Sequence, residues 1–357
     1  MKKDHEIPIE DNLGDDAEDN IPFRYSITSY GADYPIDSIV RRIADGSIYV
    51  PSFQRGFVWT HRQASRFIES LLLGLPVPGI FLSKEEVTQK LLVIDGQQRL
   101  RTLQYFYNGI FADSGQEFAL RGVQAQFDGA TYKSIKDEDR RRLDDSILHA
   151  TVVKQDEPSD DDSSIYHIFE RLNTGGTQLQ PQEIRACIYH GAFNNVLKSL
   201  NNNKSWRYTY GPVSKNMRDQ ELIVRFLALY FNADDYQKPM KEFLNSYMGR
   251  NRQLEIQSED QIRKVFEETI GIVYRCLGSK VFKLKRALNA AVFDAVMVGI
   301  ARRLAQSNIQ DCEALQKRYR SLLSNDKFIT AVEAGTASEE NVSRRITLAT
   351  QAFADAE

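Results

Sequence analysis

Cysteine and histidine, the residues from which thiolate metal sites and His-based catalytic centres are built, are sparse in this sequence. Its three cysteines, Cys187, Cys276 and Cys312, stand far apart in helix-like segments and form no C-x-x-C pair. That spacing argues against both a thiolate metal site and a disulfide framework, and buried free thiols are the expectation. The five histidines, His5, His61, His149, His167 and His190, are scattered and make no H-E-x-x-H. G-x-x-x-x-G-K-[ST], G-x-G-x-x-G and G-x-S-x-G are also missing, which argues against a P-loop NTPase, a Rossmann enzyme and an α/β-hydrolase. No apolar stretch approaches a membrane span of roughly 20 residues. The start, Met1-Lys2-Lys3-Asp4-His5-Glu6, leads into no signal-type apolar region. The expectation is a cytoplasmic protein with no membrane partner.

What remains is an ordinary globular composition: 357 residues, 42% hydrophobic and 27% charged, long enough for two cores. The net charge of −3 hides an asymmetry. Residues 1–20 carry −6, the stretch from Asp156 to Asp162 carries −5, and the rest of the chain carries +8. An excess of that size permits a basic face for DNA, while the acidic start, poor in aromatics, reads as a solvating, disordered arm over residues 1–25.

The strongest signal is Asp95-Gly96-Gln97-Gln98-Arg99, directly after the apolar run Leu91–Ile94. The stretch that follows, with Leu100, Leu103 and Phe106 at helical spacing, closes on Asn108-Gly109 and predicts a helix. A strand-to-helix junction rich in polar groups is suited to anions: first-turn N–H groups point outward, Gly96 permits close approach, and Arg99 can grip a phosphate with its planar fork. Asp95 can hold Mg2+ or orient a water, and Gln97 and Gln98 can position a nucleotide. The bland alternative for the same residues is a capping box, Asp95 as N-cap with Gln98 three residues on. Upstream, the pattern predicts a helix over Ile36–Ala44, a short strand at Ile48–Val50, a helix over His61–Leu73 capped by Thr60, and strands at Ile80–Leu82 and Lys90–Ile94. Downstream it predicts a weak hairpin over Glu117–Arg121 and Gln124–Phe127, a helix over Asp137–Leu148, a strand at Ala150–Val153 and a helix over Ile165–Leu172. Pro181 suits the first turn of another helix. Beyond residue 203 helical periodicity dominates. The fold class is thus α+β, with a mixed α/β domain over 26–202 and an α-helical domain over 203–357.

Three segments together resemble a known family: Val50–Trp59 with its Gln54-Arg55, Ser70–Pro78, and the Asp95–Arg99 motif. They are similar to the DGQQR-motif domain of GmrSD-type modification-dependent restriction systems, of the ParB/sulfiredoxin-like superfold. A second block, Phe169–Leu179 followed by Glu183-Ile184-Arg185, resembles that family's downstream motif. The resemblance implies a nucleoside triphosphate bound with Mg2+ and hydrolysed, in a bacterial defence system whose DNA cleavage is carried by a nuclease partner chain. The scattered histidines offer no His-Asn-His nuclease region such as some relatives carry. A non-catalytic DNA-associated nucleotide switch and a nicking nuclease are the alternatives.

On this reading Asp95, Gln97, Gln98 and Arg99 are catalytic, with Asp95 the metal ligand. Arg55, Gly96, Arg171, Asn173, Thr174, Gly175, Gly176, Glu183 and Arg185 bind the nucleotide. Bland readings stand beside several of these. Arg55 near Phe57 and Trp59 can be cation–π packing, Asn173–Gly176 an ordinary glycine C-cap, and Glu183 with Arg185 a surface ion pair. The two motif blocks are expected to face each other across one pocket, because each offers a helix terminus and a guanidinium.

Overall fold

The computed structural model describes residues 8–10, 26–50, 57–85, 88–157, 163–172 and 179–355. They fall into two compact units: an α/β unit, Arg24–Gln178, and a helical unit made of Met1–Phe23 with Leu179–Glu357. Sequence periodicity places the second boundary near 203. The structure places it at 179, because the helices from Pro181 onward pack with the helical unit.

The helical unit begins with an outlier, the two-residue strand β1 (Ile9–Glu10), which lies inside the arm expected to be disordered. The α/β unit follows as β2 (Ser26–Pro35), α1 (Ile36–Ala44), β3 (Ile48–Tyr49), α2 (His61–Leu72), β4 (Ile80–Lys84), β5 (Leu91–Asp95) and α3 (Gln97–Asn108). Next come the short pair β6 (Ile110–Phe111) and β7 (Gln116–Glu117), then α4 (Asp137–Asp145), β8 (Ile147–Glu157) and α5 (Ser163–Leu172). The hairpin expected over 117–127 is absent from these described residues. Phe118 and Leu120 go into the core from a stretch outside any strand, and Phe127 from a turn. β2, unassigned in the sequence reading, pairs over its ten residues with β8.

The main sheet has the order β2-β8-β4-β5-β3, mixed in direction: β8 runs parallel to β4, and β4 antiparallel to β5. Ile80, Leu82, Leu91, Val93, Leu148, Ala150 and Val152 turn one face into a core shared with Ile39, Ile68, Leu100, Leu103 and Phe106 from the helices. The alternate residues face α5, which packs on β8 and β5. The local signals act as expected: Thr60 caps α2 with Gln63 in a reciprocal capping box, and Gly109 ends α3 in a left-handed conformation.

The helical unit contains α6 (Pro181–Ile188), α7 (Ala192–Asn201), α8 (Lys204–Tyr210), α9 (Arg218–Asn232), α10 (Met240–Arg250), α11 (Glu259–Ile272), β9 (Leu288–Asn289), α12 (Ala290–Leu304), α13 (Cys312–Leu323), α14 (Asp326–Glu333) and α15 (Glu339–Phe353). α12 is buried along nearly its whole length and packs on α9, α11 and α15. At its start, β9 pairs in parallel with β1. Cys276 and Cys312 form a disulfide, contrary to the free thiols expected from their wide spacing. Folding brings the π-helical turn after α11 against the first residue of α13, a proximity no spacing rule reads. Cys187 is a buried free thiol, as expected. No helix among the described residues is long and apolar enough to cross a membrane.

Candidate functional site

Strict alternation along β5 would send Asp95 into the helix-covered core, on the side of Leu91 and Val93. A register shift intervenes: Leu82 pairs with Val93, but Phe81 pairs with Asp95, so β5 bulges opposite Phe81. A bulge re-aims the side chains beside it. Asp95 accordingly leaves the core face, and its side chain is 50% exposed at the end of the sheet.

One residue later the chain turns. Gly96 adopts φ +100°, and a Cβ built there would lie 2.3 Å from Ile80 Cγ2. The glycine therefore lets β4 pass close to the junction. The space that the sequence offers to a ligand beside Gly96 is filled by Ile80. Gly96→Ala should cost about 2–3 kcal/mol, combining the left-handed penalty for a residue with a Cβ and overpacking against Ile80. A chemical denaturation midpoint unchanged from wild type would refute this account of Gly96.

The capping-box reading is also corrected. The N-cap of α3 is Gly96, and among the described residues no side chain caps the helix. Asp95 turns to Arg99 instead, its Oδ2 accepting from Nη2 at 2.5 Å. Arg99 is only 14% exposed, and its buried Nε has no hydrogen-bond partner among the described residues. Gln98 Oε1 accepts from Val58 N at 2.9 Å and Trp59 N at 3.3 Å. It thus straps the segment that follows Arg55 over the start of α3, a positioning role with no local sequence signal. The Thr102 hydroxyl donates to Gln98 O, and Gln97 is half-buried in the first turn.

This junction can do two things chemically. The first-turn N–H groups of a helix with a glycine N-cap favour an anion. A guanidinium held in place by a carboxylate presents its remaining N–H groups in fixed geometry. Among the described residues no three His, Cys, Asp or Glu side chains gather as a metal set. Mg2+ needs only one or two protein carboxylates when phosphates supply the rest of its shell. Asp95 fits that limited role.

The other proposed site residues distribute unevenly. Arg55, Asn173, Thr174, Gly175 and Gly176 lie outside the described residues. The expected meeting of the two motif blocks therefore rests on Arg171, which is exposed at the end of α5. Glu183 and Arg185 belong to the helical unit. Glu183 Oε2 accepts from Gln180 N and completes the cap of α6. Arg185 is buried, ion-paired to Glu221 at 2.9 Å and hydrogen-bonded to Asn245 and Gln182. Neither is the surface pair expected from their spacing; both hold the helical unit together.

At the opposite end of α3 lies a cavity of about 310 Å³ lined by Tyr107, Asn108, Glu117, Thr131, Tyr132 and Lys133. The stacked rings of Tyr107 and Tyr132 both donate to Asp144. Burial, reinforced by that carboxylate, pushes Tyr107 far above the usual tyrosine range and Tyr132 up to about 12. A twelve-residue helix is roughly 18 Å long, so this cavity is separate from the Asp95 junction. His61 also stands apart, its ring against Phe111 and Phe118 and its pKa lowered by desolvation.

No curated protein matches the chain. Residues 36–190 match the family model described as GmrSD restriction endonuclease, N-terminal domain. The match runs from the start of α1 through α6 and contains the Asp95 junction, the α5 segment and the Glu183-Ile184-Arg185 stretch. Over these residues the chain is similar to the GmrSD restriction endonuclease N-terminal domain family.

Proposed function

We propose that the α/β unit binds a nucleoside triphosphate at the Asp95 junction and hydrolyses it, in a restriction-system component whose DNA cleavage is carried by a partner chain. The observation that carries this reading is the bulge that turns Asp95 out of the core to fix Arg99 beside the glycine-capped start of α3. Phosphoryl transfer asks a protein mainly for positioning and for charge placed around the transferred group. In this reading Arg99 and the first-turn N–H groups hold the phosphates, Asp95 fixes Arg99, and Gln98 holds the strap that follows Arg55. Mg2+ carried by the phosphates would take Asp95 as its protein ligand and neutralise charge on the triphosphate. Arg171 would add a second guanidinium to the phosphates. The ParB/sulfiredoxin-like assignment of the fold belongs to this same reading, as does DNA as the regulator of turnover.

The test is Asp95→Ala, a change at a half-exposed position that leaves the core intact. Phosphate release should fall on the order of 10²-fold or more, the scale of misplaced catalytic geometry, while far-ultraviolet circular dichroism stays that of the folded protein. Undiminished release would defeat the assignment. Tight nucleotide binding with no release by the wild-type protein, with or without DNA, would favour the non-catalytic switch. Nicking of a supercoiled plasmid by the purified chain would favour a nuclease.

A further inference from the structure

The end of the sheet that carries Asp95 also carries a second polar pair. Asp33 on β2 and His149 on β8 are direct cross-strand partners, and His149 Nδ1 lies 2.6 Å from Asp33 Oδ1. Their face follows from the register. Ala150 and Val152 of β8 enter the helix-covered core together with Ile80 and Leu82 of β4. His149 therefore takes the other face, with Thr151 and its partner Phe81, and Asp33 shares it. The bulge puts Asp95 in register with Phe81, on this same side. Three functional groups thus share one face and one end of the sheet, where alternation without the bulge would have separated them.

Their spacing is suitable. His149 is two strands from β5 and two residues outside the row formed by Asp95, Phe81 and Thr151. At about 4.8 Å per strand and 3.3 Å per residue, the Cα atoms of Asp95 and His149 are roughly 12 Å apart. A phosphoryl group held by Arg99, one water and an imidazole side chain span that gap. With its Nδ1 proton held by a carboxylate, a neutral imidazole presents a lone pair on Nε2. His149 is 71% and Asp33 64% exposed, so the pair is reachable from solvent.

We propose that His149, oriented by Asp33, is the proton acceptor for hydrolysis at the Asp95 junction; this rests on the nucleotide-hydrolase reading above. Water oxygen attacks the γ-phosphorus and forms the new P–O bond. His149 Nε2 takes the water's proton, and the bond from the γ-phosphorus to the β–γ bridging oxygen breaks. The leaving nucleoside diphosphate keeps that electron pair, and the imidazolium returns its proton to bulk water. Asp33 is a positioning residue, since it acts only through the ring.

The experiment measures phosphate release and nucleotide affinity for the full chain and for His149→Ala, Asp33→Asn and the double variant, with ATP and GTP as probes. His149→Ala should lower turnover on the order of 10²-fold, the usual contribution of a general base, with nucleotide affinity within twofold of wild type. Added imidazole should restore part of the lost rate, which it would not do for a merely structural histidine. Asp33→Asn should lower turnover by a smaller factor, and the double variant should be no slower than His149→Ala alone, because both changes remove one unit. Wild-type turnover in His149→Ala would overturn this inference and leave the hydrolase reading standing. Absence of phosphate release from the wild-type protein would overturn both.

Discussion

Asp294→Ala is expected to destabilise the helical unit by about 3–5 kcal/mol, the cost of stripping the partner from a buried charge. Asp294 is completely buried on α12, and its carboxylate receives Arg225 from α9 at 2.7 Å and Arg345 from α15 at 2.8 Å. One side chain therefore ties three helices. Burial by itself would raise the pKa of Asp294, but the two guanidinium groups outweigh it and hold the carboxyl below its usual range. The partners do not gain equally. Arg345 is lowered despite Asp294, because its complete burial penalises the charge and a second guanidinium, Arg225, lies beside it. A carboxylate whose folded pKa is depressed stabilises the fold above its unfolded value, near 3.9, and that stability is lost as the pH falls through the folded value. Urea unfolding at neutral pH should show the full loss in Asp294→Ala, and the difference from wild type should shrink as the pH drops below about 4. Equal midpoints at neutral pH would mean that the cluster contributes nothing net.

The second large effect is expected from reducing the Cys276–Cys312 bond. It closes a loop of 36 residues spanning β9 and α12. Chain-entropy arguments place the contribution of such a closure at about 3–4 kcal/mol. Gln316 Nε2 donates to Cys276 O at 2.7 Å, a second tie between the π-helical turn and α13 that survives reduction. The helical unit should therefore loosen while keeping its helices. A thiol-specific reductant, or Cys312→Ser, should lower the unfolding midpoint while far-ultraviolet circular dichroism at low temperature stays near that of the oxidised protein. Titration should find one thiol, Cys187, in the oxidised unfolded chain and three after reduction. Three thiols before reduction would show that the bond does not form.

The elements that sequence reading located best are those written by local chemistry. Thr60 with Gln63, Pro181 at the head of α6 and Asn108-Gly109 at the end of α3 act within one helical turn, and the structure keeps each of them. The Asp95–Arg99 motif was visible for the same reason, since polar residues follow an apolar strand without a break. β2 was not visible, because its ladder partner β8 lies more than 100 residues away and its own sequence, Ser26–Pro35, has little apolar alternation.

The chain by itself determined several helix caps, that a strand ends in a charged junction, and that a helical unit follows an α/β one. Only the tertiary structure decided what those residues do. The bulge opposite Phe81 turned Asp95 outward, Ile80 took the space beside Gly96, and Gln98 was spent on the backbone of Val58 and Trp59. Glu183 and Arg185 became a cap and a core ion pair, Cys276 met Cys312, and His149 met Asp33 beside the junction. Caps and turns are settled by neighbours a few residues apart, whereas strand register, burial and side-chain pairing depend on which distant segments share a sheet or a core.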